Sequence, residues 1–160
     1  MYRMAMLVFA LDPIANCDMG KVMRMCLVHD LAECRVGDIT PDDNVPVDEK
    51  HRMERQAITD LTALLSPAAG SGLMDLYLEY ERHESEEAKL TKDLDIFDFV
   101  HQAFAYEKRA AANGIPAASL KLDKFFQTAD RIASSVVRSL SDRLMADRVT
   151  FLQQQAESAH

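Results

Sequence analysis

The sequence predicts an all-α protein, a bundle of about six to seven helices. Three observations carry that expectation. Five Gly and five Pro in 160 residues leave few breakers, while the helix formers Leu, Ala, Met, Glu and Arg are plentiful. Apolar residues recur at helical spacing, and no stretch alternates with the period of two that a half-buried strand requires. Asn, Asp and Ser precede the periodic runs, where their side-chain oxygens can accept from the first free amides of a helix.

Residues 2 to 11 read as helix, apolar nearly all round. A second helix is expected to start at Asn16 or Asp18 and run to about Glu33. "CRVGDITPDDNVPVDEK" follows as a loop, since Gly37, Pro41 and Pro46 interrupt any period. A third helix follows Asp48 and ends near Pro67, and Ser71 is placed to cap a short fourth through Tyr80. Ser85 is placed to cap a long fifth that stops before Gly114. A short helix around Leu120 to Asp130 and a last one from about Ser134 to Gln155 complete the chain.

A chain of 160 residues can bury roughly 70% of the surface its unfolded form exposes, enough to fold as one domain without a metal or disulfide. Three cysteines, at 17, 26 and 34, form no CxxC pair, and an odd count suits a reducing, cytoplasmic setting. The opening "MYRMAMLVFALDP" imitates a signal peptide only until Asp12 and Pro13. No run approaches the roughly 18 apolar residues of a membrane span, so no membrane partner is expected. A net charge of −8 opposes binding to a nucleic acid polymer, which draws affinity from Lys and Arg on phosphates. One small phosphate remains compatible if a cation receives it.

On a wheel of the second helix, Val22, Met23, Cys26 and Leu27 form an apolar stripe with Met19. Asp30, Glu33 and His29 fall at about 20°, 320° and 280° of the same arc, so ionisable groups face inward at the helix end. Buried Asp and Glu need partners. A divalent cation is one, because imidazole with carboxylate suits Mn, Co, Fe or Zn, and carboxylate with water suits Mg. A structural pairing with a buried Arg, or between His and Asp themselves, is the other, and periodicity leaves both open. More carboxylates stand in "KDLDIFDFV", where Asp93, Asp95 and Asp98 interrupt an apolar run. At least one should face protein interior, and spacing does not say which.

"LVHDLAECRVGDITPDDNVPVDEKHRMERQA", with "AKLTKDLDIFDFVHQAFAYE" downstream, resembles the HD-domain 5′-deoxynucleotidases. The similarity runs from Met1 to about Glu107 and weakens beyond. It implies an HD-domain helical bundle over 1–160, with a metal-site core over 1–112 and C-terminal helices over 113–160. It also implies metal-dependent hydrolysis of deoxynucleoside 5′-monophosphates, with Mn, Co or Mg as cofactor and Zn or Fe as alternatives. His29, Asp30 and Asp95 match the metal ligands and are expected to converge, and Glu33 matches the catalytic glutamate. In the GDITP loop, Asp38, Thr40 and Pro41 match substrate contacts, while Glu33, Asp38 and the Ile39 carbonyl match ligands of a second metal.

The family's first histidine ligand would directly precede the "MYRMA"-like stretch, where this chain has Met1. The expectation is therefore a chain shortened by that ligand and an upstream helix, one that binds metal weakly, hydrolyses poorly and bares Leu7, Val8 and Phe9. His51, His83 and His101 are expected at the surface or in packing. The Met-rich helices suit a homodimer interface. A non-catalytic HD fold, serving as weak metal binder or interaction module, is the alternative reading.

Overall fold

The computed structural model describes residues 1–40 and 43–158, and Ser158 in backbone only. Among the described residues the regular elements are all helical: α1 (Tyr2–Ala10), α2 (Met19–Val28), α3 (Glu33–Val36), α4 (Val47–Thr62), α5 (Pro67–Arg82), α6 (Glu86–Ala112), α7 (Asp123–Gln127) and α8 (Ser135–Ser158). Two 3₁₀ turns, Ala117–Leu120 and Thr128–Arg131, flank α7. None of these helices is long and apolar enough to cross a membrane. The chain forms two compact units, Met1–Thr91 and Lys92–His160, with the division inside α6.

In the first unit, α1 packs on α2, burying Met4, Ala5 and Val8 of α1 and Val22, Met25 and Cys26 of α2. Of the surface expected to be bare, Val8 is buried, Leu7 is half-buried and Phe9 is exposed. Asp18 starts α2, its carboxylate accepting from the Lys21 amide at 3.0 Å. Asn16, the alternative cap, sits in the left-handed region at φ 58° and belongs to the turn before. Lys21 then ties the elements together, its ammonium 2.6 Å from Glu79 on α5 and 3.7 Å from Glu87 on α6.

The expected fourth helix begins earlier than Ser71. Ser66 caps it, accepting from the Ala69 amide, and Pro67 takes the first turn, where its missing N–H costs nothing. Gly70 lies within that helix because backbone passes close by. A Cβ there would stand 2.7 Å from the Thr62 carbonyl oxygen at the end of α4. The two helices enclose a core of Ala57, Ile58 and Tyr77 together with Ala32, against which Val28, Leu31, Leu61, Leu73 and Leu78 pack.

The start of α6, still in the first unit, is capped by Ser85 as expected, which accepts from the Ala88 amide at 3.2 Å, and the second unit is organised along the rest of that helix. Phe104 of α6 meets Phe151 of α8 edge to face, centroids 5.6 Å apart. The buried Glu107 carboxylate accepts two hydrogen bonds from Arg148, at 2.8 and 2.7 Å, and the guanidinium carbon lies over the Phe126 ring, 3.6 Å from its centroid. Arg148 also reaches Asp123 at the start of α7, so one cation gathers three helices.

Candidate metal centre

The α2 helix does not run on to Glu33. It ends at Val28, and the chain tightens into bonds between residues three apart: Leu31 N–H to Val28, Glu33 to Asp30, Cys34 to Leu31 and Arg35 to Ala32. In such a turn residues i and i+3 eclipse. Asp30 and Glu33 therefore stand one above the other on one edge, closer in direction than the regular wheel allows. Gly37, at φ 77°, ends the segment by donating its N–H to the Glu33 carbonyl at 2.8 Å, a left-handed stop that favours glycine.

His29 is buried, with only 4% of its surface exposed. Its Nδ1 lies 3.1 Å from the Cys26 carbonyl oxygen, which can only accept, so Nδ1 carries the ring proton. The other ring nitrogen, Nε2, lies 3.0 Å from Asp30 Oδ2: protonated, it donates to that carboxylate, and deprotonated, it and the carboxylate oxygen present two lone pairs to a cation. The Tyr80 ring of α5 holds the imidazole edge to face at 5.1 Å. A lone-pair nitrogen aimed beside a carboxylate oxygen, with the other ring nitrogen anchored to a backbone carbonyl, is the arrangement a metal-ligating histidine adopts. This donor chemistry fits a divalent cation.

Glu33 is half-buried beside this pair. Desolvation first, then the negative charges of Asp30 and Asp38, push its carboxyl up to about 7, with Lys50 opposing and Glu54 adding to the rise. Asp38 itself is exposed. The Ile39 carbonyl accepts from the Lys50 ammonium at 2.8 Å, and the same ammonium lies 3.6 Å from Glu54. Thr40 donates both its N–H and its hydroxyl to Asp43 Oδ2, each at 2.7 Å, and these bonds hold the Asp43 carboxyl below its usual range. Pro41, the last of the expected loop contacts, lies outside the described residues.

In the second unit the three carboxylates of "KDLDIFDFV" take different parts. Asp93 faces inward, 6% exposed, and accepts from the Ala133 and Ser134 amides just ahead of α8, the latter at 2.6 Å. It is a cap supplied from another helix and does structural service. Asp95 is half-buried, pairs with Lys92 at 2.8 Å and lines a cavity of about 190 Å³ with Ile96, Phe99, Thr128 and Arg131. Asp98 is half-buried too. Of the other histidines, His51 is exposed, His83 ends α5 in the left-handed conformation at φ 56°, and His101 is half-buried against Phe97.

Sequence reasoning missed Tyr80 and Lys50. Tyr80 lies 51 positions from the histidine it packs against, a separation no periodicity reports. Lys50 sits in a charge-rich helix start that reads as a solvated face.

A family model described as HD domain matches residues 1–140. The chain belongs to the HD-domain family. It is 39% identical over 158 residues to the 5′-deoxynucleotidase HDDC2 of Dictyostelium discoideum, covering 92% of this chain and 80% of that one. The human 5′-deoxynucleotidase HDDC2 is 38% identical, over the whole of this chain and 76% of its own. Among solved structures, a predicted metal-dependent phosphohydrolase from Magnetospirillum magnetotacticum superposes with a TM-score of 0.68 at 26% identity, over 93% of this chain and 74% of that one. These relatives place the all-α HD architecture among enzymes.

Proposed function

We propose that this HD-domain protein is a metal-dependent phosphohydrolase that removes phosphate from deoxynucleoside 5′-monophosphates. The observation that carries the reading is the aim of His29 Nε2 beside Asp30, in a chain similar to proteins named 5′-deoxynucleotidase. The donor chemistry of His29, Asp30 and Asp95, one imidazole and two carboxylates, supports assigning these three to the cation. Mn, Co or Mg is the proposed metal, with Zn or Fe as alternatives. When bound, the cation supplies Lewis-acid polarisation of the phosphate and a more acidic water.

The remaining steps belong to the chain. Glu33, one turn after Asp30, holds the proton for the departing 5′ oxygen or joins Asp38 and the Ile39 carbonyl on a second cation. Asp38 accepts from the sugar hydroxyl, and Thr40 with Pro41 shapes the sugar pocket. Lys50, bonded to the Ile39 carbonyl, fixes the loop that carries these groups. The names of the relatives favour this enzyme over a non-catalytic interaction module. A cytoplasmic setting, which three free cysteines support, completes the proposal, together with a homodimer to be tested by light scattering.

The experiment pairs elemental analysis of purified protein with a phosphate-release assay on deoxynucleoside 5′-monophosphates in added Mn, Co or Mg. Release that a chelator stops and the metal restores is expected. Absence of release with every metal would overturn the reading.

A further inference from the structure

Helices α4 and α5 also enclose a groove of about 340 Å³, lined by His51 and Arg55 of α4 and by Tyr77, Leu78, Glu81 and Arg82 of α5. Its size lies within the range of small-molecule pockets. The chain carries 26 acidic against 18 basic residues, so a cation here has acids to choose from. Its neighbours choose them: Arg52 binds Glu49, Lys50 approaches Glu54, and Lys21 binds Glu79. Arg55 and Arg82 make no such contact, although Arg82 lies in the field of Glu79. Among the described residues neither guanidinium has a hydrogen bond or ion pair, although Glu81 shares the same groove.

Tyr77 adds a hydroxyl donor to the lining. The residue is 3% exposed, and desolvation, reinforced by Glu81 and Glu54 and opposed by Arg55, pushes its phenol well above the usual range, so an anion here relies on the arginines to offset the two acids. The hydroxyl therefore stays a donor. Two guanidinium forks, the His51 ring and this phenol offer donors to phosphate oxygens, Arg being the side chain whose geometry matches them. Glu81 is the acceptor for a hydroxyl or amine on the same ligand, and Leu78 is the apolar wall.

The groove opens on a different face of α5 from the one that meets His29. Tyr80 of α5 packs its ring on His29. At about 100° per residue, the direction midway between Glu81 and Leu78 lies about 130° around the helix from Tyr80.

We propose that the α4–α5 groove is a second ligand site that takes a small phosphate monoester bearing a hydrogen-bond donor, the class to which nucleoside monophosphates belong. Calorimetric titration of the chelator-treated full chain with deoxyadenosine 5′-monophosphate at low ionic strength tests it. Arg55→Ala with Arg82→Ala is expected to weaken binding about tenfold or more, the equivalent of at least one charge-assisted bond. Asp30→Asn is expected to leave this binding unchanged, and inorganic phosphate, lacking the groups for Glu81 and Leu78, is expected to bind more weakly. Both arginines are exposed, so an unaltered melting temperature verifies the fold, and Arg82→Gln alone gives a milder second variant. Wild-type binding by the double variant, or complete loss in Asp30→Asn, would overturn the proposal.

Discussion

The buried acids of the second unit and the acids of residues 30–38 in the first have similar chemistry and opposite settings. Glu107 receives both forks of Arg148, and Asp93 receives two backbone amides, so each carboxylate has what its burial demands. Glu33 is desolvated without a matching partner, and with Asp30, Asp38 and Glu54 around it against Lys50 its carboxyl is pushed up to about 7, desolvation being the first cause. A protein satisfies the acids that hold it together. One it leaves crowded by like charges costs stability, and such groups cluster where a cation or a proton has work to do.

The sharpest break of this contrast is Arg148→Ala. It leaves Glu107, whose side chain is 2% exposed, as a buried charge without a counter-ion, and about 3–5 kcal/mol of stability should be lost. Chemical denaturation measures it. Replacing both Glu107 and Arg148 by Leu should recover most of the loss, because the pair is worth less than the harm of breaking it.

Asp30→Asn should do the reverse, leaving the melting temperature nearly unchanged because the side chain is 37% exposed. Metal affinity should fall about 100-fold or more, near 3 kcal/mol, as read by competitive titration of the cation. A large loss of stability with normal metal affinity would move Asp30 into the structural class. Asp93→Ala should cost about 1–2 kcal/mol, the value of a helix cap, with metal affinity unaltered.

Much of the fold was legible because its signals are local. Asp18 and Ser85 cap the helices they precede, and Gly114 follows the end of α6 at positive φ. The start of α5 was misread because Gly70 and Gly72 resemble a loop, whereas Gly70 answers the approach of Thr62, a contact between helices. At the site, His29 was legible as inward, since the apolar stripe of α2 leads straight to it. The change of pitch after Val28, the Tyr80 ring and the Lys50 bond to Ile39 were not, because each depends on neighbours brought up by folding. Asp93, one of three equivalent carboxylates in the sequence, became the structural one only when the segment before α8 supplied its amides.

The smallest expected effect tests the contrast most directly. Glu33 ordinarily would titrate near 4.5, and in the folded chain it does so at about 7, desolvation being the first cause. Below about pH 4.5 both folded and unfolded forms hold the proton, and the residue costs nothing. Between 4.5 and 7 the unfolded chain releases the proton while the folded chain keeps it, so stability drains away as pH rises; above 7 the whole penalty is present. Glu33→Gln removes the charge. In chelator-treated protein it should therefore raise stability at pH 8 by about 1 kcal/mol after solvent screening, some 2–4 °C in melting temperature, and leave it unchanged at pH 4. The same variant should lose phosphate release at every pH. A variant less stable at pH 8, as Arg148→Ala is expected to be, would show that Glu33 is a satisfied structural acid.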